Sequence, residues 1–83
     1  VNGRSDPSRG ELRAAWVVLN GERRPAPATG LLTDLLATVG VTSDTPAVAI
    51  ALNGRVVPRA GWAASRVAQG DVIDVLRPIQ GGT

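Results

Sequence analysis

Neither cysteine nor histidine occurs in this chain of 83 residues. Without cysteine there is no disulfide and no thiol nucleophile, and without both there is no ordinary zinc site and no usual acid–base catalyst. Tyrosine is missing too. Carboxylates, hydroxyls and arginines are left as catalytic groups, and they form no recognisable cluster, so the chain does not read as an enzyme. Lysine is also absent, and all nine basic residues are arginine. Arginine keeps its charge to very high pH, which explains a pI near 11.1 beside a formal charge of only +2. The arginines are scattered, aromatics make up 2% of the chain and no basic run exists, so no nucleic-acid partner is expected. No stretch approaches the roughly 20 apolar residues of a membrane helix. The first residues lack the apolar core of a secretory signal, and the expected location is the cytoplasm.

An apolar fraction of 43% is ordinary for a soluble chain. The length allows one domain with a small core. Residues 1–14, VNGRSDPSRGELRA, are polar and aperiodic and read as a flexible leader. Residues 15–78 carry the pattern of a fold, and 79–83 read as a C-terminal tail.

Trp16 to Leu19 are strand formers. Asn20-Gly21 tolerates the positive φ angles of a tight type I′ turn, and Arg23 and Arg24 begin a return strand. Pro25 and Pro27 cannot donate to a ladder, so that strand is short and lies at an edge. Leu32, Leu35, Leu36 and Val39 follow the spacing of one buried helix face. Thr29 or Gly30 is the expected N-cap, and Gly40 suits the left-handed position that ends the helix. A second hairpin turns at Asn53-Gly54. Its first arm alternates, with Val48, Ile50 and Leu52 on one face and Ala47, Ala49 and Ala51 on the other. Pro58 ends it. A loop with one helical turn follows, in which Trp62 plugs the core edge. Gly70-Asp71 then leads into a last strand with Ile73 and Val75 inward and Val72, Asp74 and Leu76 outward.

The order is β-β-α-β-β-β, with first and last strands parallel at the sheet centre, joined by the long crossover that parallel pairing needs. This predicts an α+β fold of the β-grasp, ubiquitin-like type: a mixed four- to five-stranded sheet with one main helix packed on one face. Trp16 and Trp62 read as packing residues. Asp34, Asp71 and Asp74 read as solvated charges. Thr29, Thr33 and Ser65 have no base nearby in sequence to make them nucleophiles. The alanine face of Ala47, Ala49 and Ala51, with Val72 and Leu76 beside it, makes an apolar patch that is a candidate partner-docking surface; an ordinary, slightly apolar surface is the other reading.

The segments VVLNGE, TDLLATVG, VAIALNGRVVPRAGWAASRVAQGD and IQGG, in that order, resemble the ThiS family of sulfur carriers in thiamine thiazole biosynthesis. The resemblance covers about Ala15 to Gly82. A terminal diglycine alone is weak; its combination with NGRVVPRAGWAASRVAQGD is specific. The resemblance implies a carrier acted on by other proteins. A ThiF-like, E1-like adenylyltransferase uses ATP and magnesium to adenylate the terminal glycine. A sulfurtransferase or cysteine desulfurase supplies the persulfide that replaces AMP and leaves a thiocarboxylate. A ThiG-like thiazole synthase takes the sulfur. No cofactor bound by this chain is implied. The reactive carboxylate falls on Gly82, and Ile79, Gln80 and Gly81 are the tail that threads the partner's active site. Residues without side chains permit that close approach.

Thr83 departs from the pattern that the resemblance implies, because ThiS proteins normally end at the second glycine. With Thr83 attached, the Gly82 carbonyl is an internal amide. Three explanations stand: a metalloprotease trims Thr83 from a precursor, the residue is foreign to the natural chain, or the chain no longer acts as a carrier. The receiving pathway stays open between thiamine and molybdopterin, cysteine, tRNA or a secondary metabolite. A ubiquitin-like modifier joined through Gly82 and a plain β-grasp interaction module are the readings of other classes.

Overall fold

The computed structural model describes residues 15–77. Strand β1, Trp16–Leu19, and strand β2, Glu22–Pro25, form the first hairpin. Helix α1 spans Leu32–Ala37. Strands β3, Ala49–Leu52, and β4, Arg55–Val57, form the second hairpin. A 3₁₀ segment runs over Arg59–Ala64, and strand β5, Val72–Leu76, follows. The sheet has five strands in the order β2-β1-β5-β3-β4. β5 lies in the middle, parallel to β1 and antiparallel to β3. The arrangement is the β-grasp that the sequence pattern implies, with the fifth strand present and the proline-bearing β2 at one edge.

The core lies between α1 and one face of the sheet. Val17 and Leu19 of β1, Ile50 of β3 and Ile73 and Val75 of β5 are buried there with Leu32, Leu35 and Leu36. The period of two puts each strand's alternate residues on this face, and the helical spacing meets them from above. Trp62 is 2% exposed and donates its indole Nε1–H to the Val57 carbonyl at 2.9 Å. It plugs the core edge, as its position after Pro58 suggests. Val41 and Val67 are also core residues. Neither belongs to a periodic run, so pattern alone misses both. Val39 is only partly buried against the core.

The start of α1 differs from the expectation. Its N-cap is Leu31, with no side-chain cap bond. Thr29 Oγ1 accepts from the Leu31 N–H at 3.2 Å and donates to the Asp34 carboxylate at 2.5 Å, closing the first turn from outside. Gly30 has φ +73, which turns the chain one residue too early for it to cap. The Leu32 N–H, a first-turn donor with no partner inside the helix, donates to the Ser65 carbonyl at 3.1 Å, and Val67 N–H donates to Gly30 C=O at 2.9 Å. Backbone from a distant loop therefore does the work of a cap.

The C-terminal end follows the sequence reading. Gly40 has φ +79, and the Val41 N–H reaches back to the Leu36 carbonyl at 3.0 Å, the long bond of a Schellman stop. A Cβ at Gly40 would meet no atom within 4 Å, so the cost of one is backbone strain alone. Gly40→Ala is expected to lower stability by about 1–2 kcal/mol, the penalty for a left-handed alanine. Urea unfolding checks this, and an unchanged midpoint contradicts it.

Asp71 is more than a solvated charge. Its carboxylate accepts from Ala68 N–H at 2.8 Å and from Asn53 Nδ2 at 3.1 Å, which shapes the turn into β5.

An open sheet face at the root of the tail

Among the described residues, nothing covers the sheet face opposite α1. Since Val17 and Leu19 point into the core, Trp16 and Val18 must point out, and Trp16 is therefore not core packing. The Arg23 guanidinium lies 4.0 Å from the Trp16 ring centroid, one strand across. Such a cation–π contact covers part of the indole while leaving charge at the surface. Val18 stands beside Val72 in the β1–β5 register. Val72 is 39% exposed, Leu76 56% and Val56 70%.

Leu76 stands out because of its neighbour. It pairs with Ala49, and a methyl group cannot cover an isobutyl side chain. Ala51 pairs with Asp74, the one acidic residue on the central strand. Beside Leu76 lies a shallow, open depression of about 520 Å³, lined by Ala47, Val48, Ala49, Arg59, Leu76 and Arg77. Two cations border it. Arg59 stacks 4.5 Å from the Trp62 centroid and donates to the Ser43 carbonyl at 2.7 Å. Arg77 donates to the Val39 carbonyl at 3.0 Å. Both guanidinium groups are held by backbone carbonyls, so the depression has positive rims.

The structure brings most of the expected patch together. Val72, Leu76 and Ala49 are exposed on the open face, and Ala51 is half-buried there. Ala47 is not part of β3. Its φ is +58, a left-handed conformation that breaks the alternation two residues before the strand begins. It borders the depression from a turn instead. Val56, Trp16, Val18 and Arg23 belong to this face and were absent from the sequence-based patch. Alternation along Trp16–Leu19 contains the signal for the first hairpin, whereas the stacking of Arg23 depends on a register that only pairing reveals. Ile79, Gln80, Gly81, Gly82 and Thr83, the expected reactive tail and its extra residue, lie outside the described residues.

No helix among the described residues is long and apolar enough to cross a membrane.

The fold and the face define the class: a ubiquitin-like β-grasp domain whose last described strand is the central one, beside an apolar surface that no described residue covers. The ThiS family model matches residues 17–82, and the chain belongs to the ThiS family. A solved structure, the thiamine biosynthesis protein ThiS from Geobacter metallireducens, is similar to it with a TM-score of 0.63 and 28% identity, over 81% of this chain and 99% of that one. No curated protein matches the chain.

Proposed function

We propose that this chain is a sulfur carrier of thiamine thiazole synthesis, acting through a thiocarboxylate on Gly82. The observation that carries the reading is that the family match extends to Gly82, the second glycine of the diglycine, while the segment bearing it continues from the central strand β5. The chain itself is not the catalyst. Its carboxylate is a poor electrophile until its oxygen can leave.

In the proposed sequence, a ThiF-like adenylyltransferase binds ATP and magnesium. A Gly82 carboxylate oxygen attacks the α-phosphorus, and pyrophosphate departs. The outer sulfur of a persulfide, held by a sulfurtransferase or cysteine desulfurase, then attacks the acyl carbon and AMP leaves. A thiol cleaves the remaining S–S bond and frees the thiocarboxylate. This chain has no cysteine, so that thiol and the persulfide both belong to partners. Thiazole synthase takes the sulfur and returns a carboxylate. Covalent activation of this kind splits one difficult acyl transfer into easier steps. Thr83 must be removed first, by a metalloprotease in this proposal, because an internal amide has no carboxylate to activate.

The open face is the proposed docking surface for the adenylyltransferase, with Leu76 at its centre and Val72, Ala47, Ala49 and Ala51 around it. Exposed apolar area of this sort is a common mark of partner sites. Leu76→Arg is expected to weaken binding to the adenylyltransferase by about tenfold or more, the cost of losing a well-packed apolar contact at an interface. The fold should survive, since Leu76 points away from the core. Calorimetric titration reads the affinity, and an unchanged value removes this face from the docking account.

The test of the function is reconstitution. A chain ending at Gly82 is mixed with the adenylyltransferase, magnesium-ATP and a persulfide-loaded sulfurtransferase. Intact mass is expected to report one oxygen exchanged for sulfur, and addition of thiazole synthase with its substrates should reverse the exchange. An unaltered mass with partners active on their own substrates overturns the reading. Isopeptide adducts in place of a thiocarboxylate would instead make the chain a ubiquitin-like modifier.

A further inference from the structure

The asparagines of the two hairpin turns make contacts that a turn does not require. Asn20 and Asn53 both have left-handed backbones, with φ +50 and +52. That conformation swings each residue's own carbonyl away from the direction its strand was following. In both cases the side-chain carbonyl takes over. Asn53 donates its N–H to the Val72 carbonyl at 2.7 Å, and its Oδ1 accepts the Val72 N–H at 2.8 Å. Asn20 donates its N–H to the Ile73 carbonyl at 2.9 Å, and its Oδ1 accepts the Val75 N–H at 2.7 Å. Each side chain therefore supplies a rung of the ladder after the backbone has turned off.

The two rungs hold opposite ends of β5. Asn53 fixes its first residue, Val72. Asn20 fixes Val75, one residue before the strand's last, Leu76. The Asn20 bond matters more for the C-terminal end. The registered pairing of β1 with β5 stops at Leu19 and Ile73, so beyond that point the β1 side of β5 is held by Asn20. The Val75 side chain is core and its amide would otherwise be a part-buried donor without a partner.

We infer that Asn20 is a positioning residue: its side-chain carbonyl locks the C-terminal end of β5 to the first hairpin and so fixes the strand end from which the chain continues towards Gly82. This rests on the carrier reading for its consequence, though not for its geometry. If the end of β5 is held, the Leu76 surface and the point from which the chain continues towards Gly82 are presented to a partner in a constant relation. If it is loosened, part of the docking energy goes into ordering the strand end again, and preorganisation is lost.

The test uses the full chain ending at Gly82 and two variants. Asn20→Gly keeps a residue that accepts positive φ and removes the acceptor. Asn20→Asp keeps an acceptor in a residue that tolerates the same turn. Amide exchange by NMR is followed at Val75, with Ile50 of β3 as the reference for global opening. In Asn20→Gly, exchange at Val75 should speed up by about tenfold relative to Ile50, the weight of one part-buried hydrogen bond. Asn20→Asp should restore most of the protection. In adenylation, Asn20→Gly should raise KM several-fold with kcat unchanged, because the chemistry at Gly82 is remote from the lost bond.

Unchanged Val75 protection in Asn20→Gly, or equal acceleration at Ile50, overturns the lock. Local acceleration with an unchanged KM overturns its role in presenting the tail. Failure of the unmodified Gly82-ended chain to be adenylated counts against the carrier reading, and the exchange data then still decide the lock by themselves.

Discussion

With magnesium-ATP and a ThiF-like adenylyltransferase, the chain that stops at Gly82 is expected to release pyrophosphate, and the chain that keeps Thr83 to release essentially none. The difference is chemical before it is steric. Adenylation needs a carboxylate oxygen as nucleophile towards the α-phosphorus. In the longer chain the Gly82 carbonyl is an amide whose lone pair is delocalised into the peptide bond. The carboxylate of Thr83 is free, but it sits one residue further along, on a β-branched residue that restricts χ1 and adds bulk at the point of closest approach. A site that threads side-chain-free residues has no room planned for it. A loss of at least about a thousandfold in kcat/KM, or ~4 kcal/mol of transition-state stabilisation, is expected. Equal rates for the two chains would mean that Gly82 is not the acyl donor.

The second large effect concerns stability. Leu35→Ala should destabilise the domain by about 2–5 kcal/mol, the usual range for emptying a buried leucine site. Leu35 is 1% exposed, in the middle of the only α-helix among the described residues, and that helix is six residues long. A helix so short has no stability alone, because nucleation costs more than its few bonds return. Its leucines share one buried cluster with Val17, Ile50 and Ile73 and therefore hold both the helix and one side of the core. Total stability for domains is about 5–15 kcal/mol, and small ones lie low in that range. Urea unfolding of the variant should show a much lower midpoint, with part of the population unfolded in buffer. A loss below about 0.5 kcal/mol, as for an ordinary surface change, would contradict the packing described.

The core face was legible because it repeats. Leu32, Leu35 and Leu36 at helical spacing and the alternation of Val17/Leu19 and Ile73/Val75 give both the helix and the sheet face that it covers. Asn20-Gly21 and Asn53-Gly54 mark their turns through the left-handed conformation that each adopts. What escaped was set by tertiary contact. The cap of α1 comes from Ser65, over thirty positions away in sequence, so the local Thr29-Gly30 signal pointed one or two residues too early. Val41 and Val67 are buried by loops that carry no period. Ala47 looks like a strand residue by alternation, yet its backbone is left-handed. The second role of Asn20 needs the position of β5, which is 55 residues downstream of it at Val75.

The candidate site divides in the same way. Val72, Leu76 and Ala49 on the open face follow from the period of two. The depression rimmed by Arg59 and Arg77 does not, since it is assembled from a turn, a 3₁₀ segment and the end of β5. The chemistry assigned to Gly82 rests on motif and family, and the last described strand before it in the chain is the central one.

The most direct test of the carrier account is the intact mass of the protein taken from its native cells under thiamine limitation, with the C-terminal peptide sequenced. The account predicts a chain that ends at Gly82 and carries sulfur in place of one carboxylate oxygen. A chain that still ends in Thr83 and holds no sulfur, in cells that depend on making thiamine, would contradict it and leave a β-grasp binding domain.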